Sequence, residues 1–162
     1  MRVDAGHTRK WGDGVTQVSA PVVLRQVTFR VVGTPVPQGS MKGFANKRTG
    51  RVHLTSDNPN LRSWREMIAW EARQAADWCS DAPVEVRAQF WLLRPKSLPK
   101  RVQLPSTKPD CDKLLRGVLD GLTGVLITDD SRVVRATTSK HYCGPDEQPG
   151  ALITVRELDV PR

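Results

Sequence analysis

An α/β domain of the α+β kind, with a mixed β-sheet, two main helices and a C-terminal β-hairpin, is what this sequence predicts. Three observations predict it. Stretches rich in Val and Thr, several with alternating character, recur at 22–32, 84–92, 132–142 and 151–155. Two other stretches, after Pro59 and after Pro109, space their apolar residues for one helical face. The two kinds are interspersed along 162 residues without internal repeat, which is enough chain for one sizeable core.

Taken in order, residues 1–20 carry Gly, Thr, Ser and charge without periodicity, and are expected to be a mobile extension to a domain over 21–160. Val22 to Val32 reads as the first strand, broken by Thr34-Pro35-Val36-Pro37-Gln38-Gly39. Met41 to Leu54 turns at Thr49-Gly50 and reads as a hairpin or an ordered loop. Ser56-Asp57-Asn58-Pro59 is a helix start. Leu61, Trp64, Ile68, Ala72 and Ala75 then share a face, so the helix is expected to reach about Trp78 with Trp64 and Trp70 in the core. Val84, Val86, Ala88, Phe90 and Leu92 alternate as in a half-buried strand. Arg94 to Lys108 holds three prolines and five basic residues with little to bury, a long loop of the functional or disordered sort. Leu115, Val118, Leu119 and Leu122 mark the second helix, which starts at Asp110 or Cys111 and is stopped by Gly124. Arg132 to Tyr142 and Ala151 to Val155 read as strands around a Gly/Pro turn, and as each other's hairpin partner.

The charge narrows the partner. Twenty-five Lys plus Arg against 17 Asp plus Glu leave +8, and the pI is about 9.9, which favours a polyanion such as nucleic acid. No apolar run is long enough to span a membrane, and no secretory leader is recognisable. Cys79, Cys111 and Cys143 are odd in number and lack CxxC spacing, which fits a reduced, cytoplasmic compartment and not a zinc cluster. His7, His53 and His141 are scattered.

The chemistry is concentrated at Lys108-Pro109-Asp110-Cys111-Asp112 and at Asp129-Asp130. Each part alone has an ordinary explanation. Asp in a first turn complements the helix dipole, and Asp-Asp-Ser is common turn chemistry. Together, a basic loop and four carboxylates around one helix suggest a divalent cation beside phosphate, since magnesium prefers hard oxygen ligands. A helix of a dozen residues is about 18 Å long. Asp110 and Asp130 can therefore meet only if the chain after Gly124 doubles back along it.

The pattern Pro109-Asp110-Cys111-Asp112, Leu114, Arg116, Val118 to Gly124, then Asp129-Asp130-Ser131 with Val133-Val134, resembles the RusA family of Holliday-junction resolvases. The resemblance extends weakly to Gly33–Gly39 and the helix near Trp64, and so covers roughly 24–158. It implies a magnesium-dependent endonuclease that nicks four-way DNA junctions in pairs. It also implies a homodimer, with Asp110, Asp112 and Asp130 as metal ligands and catalytic residues, joined by Arg116 at the phosphate. Asp129 is the alternative third ligand.

Two positions depart from the family pattern: Arg116 stands where Lys is typical, and Lys113 where Asn is frequent. Arg keeps the charge and grips phosphate by two bonds, but it does not give up a proton. Asp120 is expected to pair with Arg116. DNA contacts are expected from Lys42, Lys47, Arg48 and Arg51 in the hairpin, and from Lys96, Lys100, Arg101 and Lys108 in the loop. The competing reading is a non-catalytic DNA-binding module whose acidic residues cap helices. Host or phage origin stays open.

Overall fold

The computed structural model describes residues 21–39, 41–45, 48–49, 52–56 and 58–159, the side chains of 41–45 and 52–56 excepted. The elements run β1 (Val22–Val32), β2 (Met41–Ala45), β3 (Val52–Ser56), α1 (Leu61–Ala75), β4 (Val84–Leu92), α2 (Cys111–Leu122), β5 (Val133–Tyr142) and β6 (Gly150–Asp159). Four strands form one sheet in the order β1-β6-β4-β5, with β4 and β5 parallel and the other pairs antiparallel. It is a mixed sheet in one α+β domain. β2 and β3 make a separate antiparallel hairpin, as expected from Thr49-Gly50, although β3 runs on to Ser56, which the sequence suggested for a helix start.

Both helices lie on one face of the sheet and pack against each other. Leu61, Trp64, Ile68 and Ala72 of α1 and Leu114, Val118 and Leu122 of α2 are buried. They meet Val27, Phe29, Val31, Val84, Val86, Phe90, Ile153 and Val155 from the sheet in one core. Glycines let the helices close. A Cβ on Gly121 would stand 3.0 Å from Ile68 of α1, and one on Gly117 would stand 3.1 Å from the Val36 carbonyl oxygen.

Three expectations need correction. The last two strands are not a hairpin: β6 lies between β1 and β4, and β5 is at the edge. Burial explains the choice. β6 buries Ala151, Ile153, Val155 and Leu158, whereas β5 has no buried residue, so the central position goes to the strand with more to cover. Thr- and Ser-rich β5 tolerates an edge. Because β5 is parallel to β4, the connection between them must cross over, and the basic loop with α2 is that crossover. Second, α1 stops at Ala75 instead of near Trp78. The chain must turn there to bring Ser80 against Leu126 and Thr128, with which its backbone exchanges hydrogen bonds of 2.8 and 3.0 Å. Third, Trp70 is exposed. Six residues on from Trp64, it points about 240° around the helix from the core stripe.

Candidate active site

Asp110 is the N-cap of α2, in extended backbone, and its side chain accepts no capping hydrogen bond. Among the described residues its one ion pair is with Lys113 Nζ at 3.5 Å, between half-exposed groups, an interaction of little energy. Asp112, in the first turn, is exposed and has no side-chain partner among the described residues. Both carboxylates are free to bind something else. Asp110 and Lys113, with Lys108, Pro109, Pro35, Pro37, Gln38 and Gly39, line a cleft of about 400 Å³. Its wall is fixed by Gln38, whose N–H donates to the Lys113 carbonyl at 2.9 Å.

The cleft is braced from β5 and α1. Lys140 Nζ donates to the carbonyls of Thr107 at 2.9 Å and Pro109 at 2.8 Å, tying the end of the loop to the sheet. Arg65 of α1 donates to both Gln38 and Asp120. Asp120 therefore pairs with Arg65, and not with Arg116 as the sequence suggested. Arg116 is exposed, one turn beyond Asp112, with no ion pair among the described residues.

Lys140 and Arg65 were missed by sequence reasoning. Lys140 carried a readable signal. It falls in phase with Ala136 and Thr138, on the side of β5 that faces the helices, where a charge needs partners.

Asp129 and Asp130 stand elsewhere, and differ from each other. Asp129 accepts a hydrogen bond from the Ser131 N–H at 2.9 Å and caps the short turn Asp130–Arg132. That bond holds its carboxyl below its ordinary pKa. The exposed Asp130 side chain has no such bond among the described residues. The chain does double back after Gly124, but Asp130 stands in the turn just before β5, while Lys140, near the strand's end, is the residue that reaches Pro109. At about 3.3 Å per residue, that leaves Asp130 on the order of 20 Å from Asp110. Within one chain Asp110 and Asp112 share the entrance of α2, and Asp130 does not join them. Among the described residues no group of three or more His, Cys, Asp or Glu side chains could hold a metal ion.

Of the expected DNA contacts, Lys96, Lys100, Arg101 and Lys108 are exposed on the crossover loop, at the same end of the sheet as Asp110. The loop is ordered by Arg94, which donates to the carbonyls of Val102 and Pro99 at 2.7 and 2.8 Å and lies over the Tyr142 ring. Arg48 is exposed in a turn. The side chains of Lys42, Lys47 and Arg51 lie outside the described residues, as does the extension expected at 1–20. No described helix is long and apolar enough to cross a membrane.

Fold and cleft define a small, basic α+β protein with paired free carboxylates at a helix entrance beside lysines. Residues 33–156 match the family described as Endodeoxyribonuclease RusA, and the chain belongs to that family. The family's activity is hydrolysis of DNA. The chain is also similar to a Bacillus subtilis (strain 168) protein called "Uncharacterized protein YqaN", at 31% identity over 145 residues, covering 83% of this chain and 98% of that one.

Proposed function

We propose that this protein is a magnesium-dependent endonuclease that resolves four-way DNA junctions by paired nicks, working as a homodimer. One observation carries the reading: Asp110 occupies a cap position without capping. Apart from its weak pair with Lys113, its carboxylate is unspent beside a lysine-rimmed cleft, at the helix entrance where the exposed Asp112 also stands. A capping role, as in a non-catalytic binding module, would have used that oxygen.

The donor set fits a hard divalent cation, since both groups are carboxylate oxygens open to water. When bound, magnesium would activate a water and offset charge on the phosphate. Asp110 and Asp112 would hold it. Lys108 and Lys113 would orient the DNA backbone, and Arg116, one turn on, would grip a phosphate oxygen by two bonds.

The third carboxylate comes from a second copy. The outer edge of β5 has no strand partner among the described residues, and free edges invite pairing. Two β5 edges running antiparallel would set Asp130 of one copy near the Lys140 end, and so near the α2 entrance, of the other. A two-fold dimer presents two such sites, one for each nicked strand.

Cutting a labelled four-way junction, with and without magnesium, tests the activity. Symmetric nicks that need the metal, and that Asp110→Asn and Asp112→Asn abolish, are expected. Full cutting by either variant overturns the assignment.

A further inference from the structure

We propose that the helix-free face of the sheet is a second nucleic-acid surface, gripping the phosphates of a duplex arm as it leaves the cleft. The inference rests on the nuclease reading and adds a surface that lies on the other side of the sheet from Asp110. Both helices cover one face. The other carries a hollow of about 420 Å³, with Gln26, Thr28, Arg87, Gln89, Thr154 and Arg156 among its lining.

The charge on this face has one sign. Across the segments 26–30, 85–91, 135–141 and 152–156, the one carboxylate is Glu85, whose side chain is 3% exposed. It lies under three arginines, with Arg87 Nε at 2.7 Å, Arg156 Nη1 at 3.6 Å and Arg135 Nη1 at 3.8 Å. Glu85 anchors the guanidinium groups while their outer edges stay in water. Arg30 extends the patch, lying over Trp91, which in turn stands against His141. This end of the face adjoins Tyr142 and Arg94, and so the end of the sheet where Asp110 stands.

Charge and composition select the occupant. Arginine forks, hydroxyls and amides are what contact DNA phosphates. The core of a protein interface is depleted of charge, which this face is not. A second copy docked here about a two-fold would bring arginines against arginines. Four strands about 4.8 Å apart are wide enough to meet phosphates on both sides of a groove about 12 Å across.

The test uses the full chain with Asp110→Asn as a non-cutting background, and a labelled four-way junction over a salt series. Gln89→Glu with Thr137→Glu places two carboxylates at exposed positions of this face while leaving the arginine network intact. Arg135→Ala is the independent second variant. Each should bind on the order of tenfold more weakly, with the salt slope reduced by about one for every phosphate no longer gripped and an unchanged thermal midpoint. Affinity and slope equal to the background in both variants would overturn this inference and leave the nuclease reading standing. Dissociation into single chains on making these changes would also overturn it, by marking the face as an interface between copies. A background chain that binds no DNA would sink both readings.

Discussion

Asp110 stands at the entrance of α2 without accepting a hydrogen bond from it. Asp110→Asn should therefore cost little stability, within about 0.5 kcal/mol as for an ordinary surface change, while cleavage falls by orders of magnitude. Thermal melting and junction cutting on the same sample check both halves. The Asp129-Asp130 pair makes the opposite contrast. Asp129 is committed to Ser131, so Asp129→Ala should lower the thermal midpoint and spare cutting; Asp130→Asn should do the reverse. Loss of cutting in the Asp129 variant alone would move the third ligand there. A pH effect is expected from Glu157 of β6, held below its ordinary value of 4.5 by hydrogen bonds from Arg25, at 2.5 Å, and Ser80. A depressed pKa contributes stability above the unfolded value. That stability is lost as pH falls below 4.5 through the folded value. Glu157→Gln should flatten the acid limb of a melting-temperature profile; an unchanged limb would assign it to other groups. The acidic motif was legible in the sequence because its spacing is local. Which of the two adjacent aspartates is free was not, since that depends on one turn's hydrogen bond.

At the scale of elements, the two helices and the sheet strands were readable from periodicity, and the strand pairing was not. Alternation tells a strand which face to bury and says nothing about which strand lies beside it. Val133 to Tyr142 and Gly150 to Asp159 are neighbours in sequence, and hairpins are common, yet the greater burial of β6 puts it in the centre. The glycines of α2 carry a testable consequence. Gly121→Ala gains helix propensity but drives its Cβ to 3.0 Å from Ile68, so overpacking should win and cost about 1–3 kcal/mol. Denaturant unfolding measures it. A stabilised variant would mean that the helices can separate freely, and the α2 entrance would then be less firmly set against the Gln38 wall.

For the whole molecule, the separation of Asp130 from Asp110 makes one mixing experiment decisive. Chains carrying Asp110→Asn and chains carrying Asp130→Asn should each be inactive alone. In a mixed dimer with sites built across the interface, one site collects both changes and the other is fully wild type. Mixing should then restore nicking at one strand. Continued inactivity of proven mixed dimers would place all three ligands in one chain and require a different conformation. Junction binding should also weaken steeply with salt, and neutralising Lys96, Lys100 and Arg101 together should reduce the slope by about one for each phosphate they hold. An unchanged slope removes the crossover loop from the DNA interface. The polyanionic partner could be read from net charge. The distance between carboxylates could not, because it follows from Asp130 standing before the start of β5, whose far end is the one beside the helix entrance.

The central place of β6 has a bearing on how the protein is made. On the ribosome, β1, α1, β4 and α2 all emerge before the strand that joins β1 to β4. From Leu92 to Asp159 is 67 residues (159 − 92), on the order of 3–13 s of synthesis at about 5–20 residues per second. During that interval the two halves of the sheet have no shared strand, and the aspartates have no floor to stand on. The helix that carries Asp110 and Asp112 is thus complete in sequence before the sheet beneath it can close.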